Sequence, residues 1–263
     1  MSENILKKIL DNKKIKINNL KNEINIDFLS QKIKDIKTFI DFKKKIKNNH
    51  NQDKISIIAE IKKASPSAGI IIENYNPIDI ASIYKSKNVT CLSVLTEEDF
   101  FQGNMIHISK IKQKIDLPIL CKDFFFDKFQ VHLAKSYGAD AILIILAGIT
   151  EDEAYQLYEE AIKLKMTIIV EVHTVQEAKK ALKFTEALIG INNRNLKTLE
   201  TDINTTYDIY NVLVNHNQPL ISESGIKNKD ELLEIKNKTR IKTFLIGESL
   251  LKNLKKNNIF SLL

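Results

Sequence analysis

Residues 56–65 read SIIAEIKKAS, an apolar run that gives way at its far end to Glu60, Lys62 and Ser65. A short segment apolar on both faces is a strand covered on both faces, as in a parallel sheet. Alternate residues of an extended chain leave the same face, so Glu60 and Lys62 emerge together while Ile61 points away. The same format recurs down the chain as CLSVLTE from 91, PILCKD from 118, AILIILAG from 141, TIIVEVH from 167, ALIGINNR from 187, PLISESG from 219 and TFLIGES from 243.

Strands are therefore expected at 56–61, 90–95, 118–121, 141–146, 167–172, 187–191, 219–222 and 243–246, with a helix-period segment after each and a last helix at 249–262. Eight strand-then-helix units in series make a parallel sheet, and at this length the natural closure is an α/β fold of the (β/α)8 TIM-barrel type. An open doubly wound sheet is the alternative, but no GxGxxG or GxxxxGK[ST] follows the first strand. Before residue 50 the apolar residues fall at helical spacing, as in Ile5, Leu6, Ile9 and again Leu29, Ile33, Ile36, Ile40, so two helices are expected there. The division is thus an N-terminal helical extension over 1–50 and a barrel over 51–263.

In such a barrel the chemistry sits at the carboxyl ends of the strands. Collecting the polar residues there yields Glu60, Lys62 and Ser65, then Lys122 and Asp123, then Glu171, then Asn192 and Arg194. The last two strands end in Ser222, Glu223, Ser224 and Gly225, and in Gly247 and Glu248. Lys122 is expected at the mouth, where partial burial and a neighbouring cation lower its pKa toward a range useful to a general acid; the plain alternative is a surface ammonium. Glu171 is a candidate acid/base, against a simple pairing with His173 or a lysine. Asp123 is expected to cap the following segment. Ser224–Gly225 and Gly247–Glu248 each open a helix, the geometry with which barrels hold phosphate on backbone N–H groups. With seven glycines in the chain, one at each of these ends points to a phosphorylated small-molecule substrate. His107 and His173 have no spacing suited to a metal or a nucleophilic triad and are taken as structural.

The composition bounds the rest. Of 263 residues 43% are hydrophobic and 28% charged, ordinary for a globular chain. The net charge of +7 lies within 1–50, where thirteen lysines face six carboxylates, so the barrel is neutral and a nucleic-acid partner is not expected. Two cysteines without CxxC spacing suit a reducing cytoplasm. No apolar run approaches the roughly 20 residues of a membrane helix, so no membrane association is expected. Neither a metal nor any other cofactor is implied, and a monomer is expected.

The strings IAEIKKASPSAG (58–69), LSVLTEEDFFQG (92–103), PILCKDFFFDKFQ (118–130), IVEVH (169–173), IGINNRNLKTLE (189–200), ISESGI (221–226) and LIGESL (245–250) resemble, in order, those of the indole-3-glycerol-phosphate synthase family. The resemblance implies a decarboxylating lyase of tryptophan biosynthesis that acts on 1-(2-carboxyphenylamino)-1-deoxyribulose 5-phosphate without a cofactor. It implies Lys122 as general acid, Lys62 on the substrate carboxylate, Glu171 as acid/base in the dehydration and Glu60 orienting a lysine. Asn192 and Arg194 would bind substrate, and Ser65, Ser224, Gly225, Gly247 and Glu248 would line the phosphate pocket. The lysine-rich preamble is similar to a family extension that packs over the barrel mouth. Ala68 stands where the family commonly has a basic residue. Rival readings are another phosphate-binding barrel, such as a phosphoribosylanthranilate isomerase or a Schiff-base aldolase using Lys122, and a barrel without activity kept as a scaffold.

Overall fold

The structure, a computed structural model, describes residues 5–37 and 39–263. Helices α1 (Ile5–Glu23), α2 (Ile26–Lys34) and α3 (Phe42–Asn51) precede strand β1 (Ser56–Ile61). A small antiparallel hairpin, β2 (Ala64–Ser65) and β3 (Gly69–Ile70), follows it. The chain then runs through α4 (Pro77–Ser86), β4 (Cys91–Leu95), α5 (Ile106–Lys112), β5 (Ile119–Lys122), α6 (Lys128–Ser136), β6 (Ala141–Ile145), α7 (Glu151–Lys163) and β7 (Thr167–Val172). It finishes with α8 (Val175–Ala181), β8 (Leu188–Asn192), α9 (Asn204–Leu213), β9 (Leu220–Glu223), α10 (Lys229–Thr239), β10 (Thr243–Ile246) and α11 (Glu248–Lys252). Eight parallel strands close in the order β1-β10-β9-β8-β7-β6-β5-β4, which is a TIM barrel.

Strand parity builds two cores. One set of side chains points outward under the helices, among them Ile57, Ala59 and Ile61 of β1 and Ile168, Val170 and Val172 of β7. The other set fills the barrel: Ile58, Cys91, Leu120, Leu143, Ile169, Leu188, Ile221 and Leu245. Several helices start on the side-chain caps their sequences offer: Asn76 on α4, Asp127 with Gln130 on α6, Thr150 with Glu153 on α7 and Asn228 on α10.

Four differences from the sequence-based expectation have physical reasons. The strands expected at 118–121, 187–191 and 219–222 each begin one residue later and end one later, on Lys122, Asn192 and Glu223. Pro118 and Pro219 have no N–H to give the ladder, so pairing starts after them. Three helices, rather than two, precede β1, because Asp41 caps a separate helix by accepting from the Lys44 N–H at 2.9 Å; α2 stops at Lys34, leaving Ile36 and Ile40 in the connection. The expected closing helix is split into α11 and a 3-10 turn at Asn258–Leu262, and Asn257 ties the two by donating to the Ser249 carbonyl at 2.8 Å.

The extension divides between the two ends of the barrel. Helix α3 lies under the amino ends of the strands: Asn49 donates to Ser56 Oγ at 3.1 Å, the Lys43 N–H to Thr167 Oγ1 at 3.1 Å, and Phe42 and Ile46, both fully buried, join the interior core. Helix α1 lies at the opposite, carboxyl end, where Lys13 pairs with Asp123 just past β5. Phe42→Ala should therefore act as a core truncation of the barrel floor and cost about 3–5 kcal/mol in chemical denaturation; a loss below about 1 kcal/mol would mean that α3 is dispensable to the interior.

Candidate active site

At the carboxyl end of the barrel lies a cavity of about 570 Å³. Its walls include Glu60, Lys62, Ser65, Lys122, Glu171, Asn192, Arg194, Ser224, Gly225, Gly247 and Glu248, all the candidate residues of the sequence, and Ile5, Leu6 and Ile9 of α1 form one apolar side.

Parity explains the convergence. Two residues beyond the inward apolar residues Ile58, Leu120, Ile169 and Ile221 stand Glu60, Lys122, Glu171 and Glu223, so one strand step turns an apolar layer into a charged one. Lys122 Nζ donates to Glu171 Oε2 at 3.2 Å and to Glu223 Oε2 at 3.5 Å. Glu223, collected among the strand-end polar residues but given no role there, belongs to this group. The signal was legible: Ile221–Glu223 repeats the spacing of Ile58–Glu60.

The expected lowering of the Lys122 pKa is overturned. Burial does push the ammonium toward its neutral form, but the carboxylates of Glu171, Glu223 and Glu60 more than offset it and hold the lysine charged, above its usual range. Its nearest charged neighbours are anions. Glu171 is the converse: burial raises it, yet Lys122, His173 and the Asn192 amide bring it well below the usual carboxylate range. Glu223 takes up the imbalance. Burial, with Glu171 and Glu60 beside it, pushes its carboxyl up to about 8 against the pull of Lys122. The site thus sets a lysine ammonium against one carboxyl shifted down and another shifted up within one hydrogen-bonding group.

Lys62, just past β1, pairs with Glu60 of that strand at 2.5 Å. Two glycines make room for the carboxylates. A Cβ on Gly247 would overlap the Glu60 carboxylate, and one on Gly190 would overlap that of Glu223. Gly247 is thus required by packing against Glu60, a demand that the sequence reading ascribed to anion approach alone. At Gly225 the backbone is left-handed, with φ 77° after Ser224 at φ 66°, so glycine there is conformational. The buried Asn193 fixes this corner: its amide donates to Ser222 Oγ at 3.2 Å and to the Ser224 carbonyl at 3.0 Å, while its Oδ1 accepts from Thr206. The Arg194 guanidinium donates to the Leu199 carbonyl at 2.5 Å, and the Arg194 backbone N–H donates to Asn192 Oδ1 at 3.0 Å. Glu248 opens α11 with its carboxylate held by Lys252 at 2.6 Å. Ser65 Oγ accepts from the Ala68 N–H at 3.2 Å, so the Ser65 hydroxyl helps hold the loop around Ala68.

Asp123 does not cap a helix, a role Asp127 fills on α6. Its Oδ2 accepts from Thr96 at 2.6 Å and Lys13 at 2.7 Å, and its Oδ1 from the adjacent Phe124 N–H. Lys16 pairs with Glu98 and Asp99, and Lys21 with Asp127. Part of the N-terminal lysine excess is therefore spent on seating α1 against the loops of the barrel. His107 packs on Tyr75 with centroids 5.5 Å apart, away from this group. His173, by contrast, stands between Glu171 and Glu177, with ring nitrogens 3.2 and 3.5 Å from their oxygens.

Burial lowers the His173 pKa, but Glu171 and Glu177 outweigh it and raise it from 6.5 to about 9. A group raised on folding stabilises fully below its unfolded value and loses that contribution as pH rises through the folded one. His173 should accordingly titrate near 9 by NMR, and its share of stability should be complete below about 6.5 and gone above about 9; a midpoint at 6.5 or lower would place a neutral imidazole in the bridge.

Comparisons with known proteins accord with this architecture. A family profile described as Indole-3-glycerol phosphate synthase matches residues 6–262. An indole-3-glycerol phosphate synthase of Prochlorococcus marinus subsp. pastoris is 40% identical over 264 residues, covering 98% of this chain and 88% of that protein. One from Desulforamulus reducens is 38% identical over 246 residues, covering 94% and 91%. Among solved structures, a 3-hexulose-6-phosphate synthase from Salmonella typhimurium superposes with a TM-score of 0.61 at 11% identity over 79% of this chain and 98% of that one, a likeness of fold alone. Among the described residues no helix is long and apolar enough to cross a membrane. The near-complete profile match and the relatives at about 40% identity establish that the chain belongs to the indole-3-glycerol phosphate synthase family, decarboxylating lyases of tryptophan biosynthesis.

Proposed function

We propose that the eleven candidate residues, joined by Glu223, carry the ring closure of 1-(2-carboxyphenylamino)-1-deoxyribulose 5-phosphate to indole-3-glycerol phosphate, with loss of CO2 and water. The observation that carries this reading is the Lys122 ammonium, held 3.2 Å from Glu171 and 3.5 Å from Glu223 in the charged layer of the cavity.

As the aromatic carbon attacks the ribulose carbonyl, the oxygen becomes an alkoxide, a far stronger base than an amine. Lys122 gives it a proton even though its carboxylate neighbours hold that proton firmly. Lys62, fixed by Glu60, holds the substrate carboxylate until the C–C bond to CO2 breaks and the benzene ring regains its aromaticity. Glu171 then takes the proton from the carbon beside nitrogen as hydroxide leaves with a proton from Lys62. Two protons are given and one is recovered, so each turnover draws one from solvent, as loss of CO2 from a carboxylate requires. Asn192 and Arg194 steady the substrate, and Ser65, Ser224, Gly225, Gly247 and Glu248 surround the phosphate, with the Glu248 N–H as donor. Helix α1 serves as the cover of the mouth. The reading includes a cytoplasmic monomer without cofactor, and the free, buried thiols of Cys91 and Cys121 are in keeping with a reducing compartment.

The chain contains no tryptophan, so the product's indole fluorescence is read without an indole background from the protein. On mixing with the carboxyphenylamino-deoxyribulose phosphate, wild-type protein should generate that signal. Lys122→Ala should lower kcat at least about a thousandfold with KM within about threefold, and Glu171→Gln should lose about a hundredfold or more. Arg194→Lys should raise KM, since the forked donor is lost. Near-normal turnover in both Lys122→Ala and Glu171→Gln would refute the roles, and borohydride trapping of Lys122 with substrate would favour a Schiff-base enzyme instead.

A further inference from the structure

We propose that His173, as an imidazolium locked between Glu171 and Glu177, is a positioning residue that keeps Glu171 anionic while Lys122 gives up its proton. The inference rests on the roles proposed above for Lys122 and Glu171, and it assigns His173 no contact with substrate.

The geometry is a line of alternating charge that starts in the cavity and ends near the surface. Lys122 Nζ lies 3.2 Å from Glu171 Oε2. The other oxygen, Oε1, lies 3.2 Å from His173 Nε2, and His173 Nδ1 is 3.5 Å from Glu177 Oε2. Neither ring N–H is aligned for a hydrogen bond, so the bridge is a charge pairing. The imidazole is buried, with 8% of its side chain exposed, and Glu177 reaches further toward solvent at 19%. Glu177 Oε2 also accepts the His173 backbone N–H at 2.7 Å, which fixes residue 173 to the first turn of α8. The charged groups that bear on His173 among the described residues are Glu171 from β7 and Glu177 from α8, with Lys122 of β5 beyond Glu171.

The consequence follows from the Lys122 step. When the ammonium becomes an amine, the buried Glu171 loses its cation, and a lone carboxylate in such surroundings is costly. Without a second cation, the proton would be held on Lys122 by the need to keep Glu171 paired. The imidazolium on Oε1 supplies that cation, so the charge of Glu171 stays balanced and the lysine proton becomes transferable. Glu177 in turn keeps the imidazole charged. A neutral side chain of the same size would fill the space and leave the rate dependent on Lys122 alone.

Single-turnover rates against pH test this. In wild-type protein the rate should fall on the alkaline side as His173 titrates, near pH 9. His173→Gln should slow the chemical step about ten- to a hundredfold, the effect of removing one charge within about 4 Å, with KM within about threefold and that alkaline limb absent. Glu177→Gln, at a more exposed and fold-tolerant position, should move the limb to lower pH. In a Glu171→Gln background, His173→Gln should add no further loss. An alkaline limb unchanged in both single variants, or a normal rate in His173→Gln, overturns the inference. If Glu171→Gln is slow while His173→Gln is normal, the inference alone fails; if Glu171→Gln is itself normal, the assignment of Glu171 fails first. Should His173→Gln not fold, the shift of the limb in Glu177→Gln decides, and no shift counts against the proposal.

Discussion

A lysine ammonium enclosed by three glutamate carboxyl groups at the inner wall of the barrel is the constraint from which most of the local architecture follows. Lys122, Glu60, Glu171 and Glu223 are each buried or nearly so, and none could be left without its partners at that depth. The four come from four different strands, so only a closed barrel with this register brings them to one level. The carboxyl groups outnumber the local lysines, which is why the Glu223 carboxyl is pushed upward, and His173 stands behind Glu171.

The glycines are answers to the same constraint. Strand β8 carries Gly190 at the position facing Glu223, and Gly247 follows β10 where the Glu60 carboxylate lies. In a chain with seven glycines, two are committed to giving carboxylates room, which no helix or turn preference would have called for. Beneath the charged layer, apolar residues one step closer to the strand starts fill the barrel, and α3 closes its floor with Phe42 and Ile46. The polar layer is thus backed by a dry core that keeps water from reaching it from below.

The N-terminal segment shows how one composition serves two ends of the molecule. Its lysines are matched by carboxylates that the βα loops carry: Asp123 for Lys13, Glu98 and Asp99 for Lys16, Asp127 for Lys21. Only the Lys13–Asp123 pair is buried, so it anchors the helix, and the exposed pairs contribute little beyond orientation. Asp123 follows Lys122 directly, so the seating of α1 and the placement of the ammonium share one strand end.

What the sequence by itself determined was the barrel and the membership of its mouth. Period-two patterning in runs such as TIIVEVH and SIIAEIKK states which residues share a face, and the polar residue closing each run states which end is wet. The residue types at 60, 62, 122, 171, 192 and 194 were legible for that reason, and Glu223 was legible by the same spacing from Ile221. What only the tertiary structure decided was charge and distance. Whether Lys122 meets a cation or three glutamates depends on strands far apart in the chain, so its pKa moved opposite to the sequence expectation. The roles of His173 and Gly190, and the split of residues 5–51 between the two poles, were hidden for the same cause: each depends on a residue brought near by closure of the sheet, and local patterning carries no record of which distant side chain that will be.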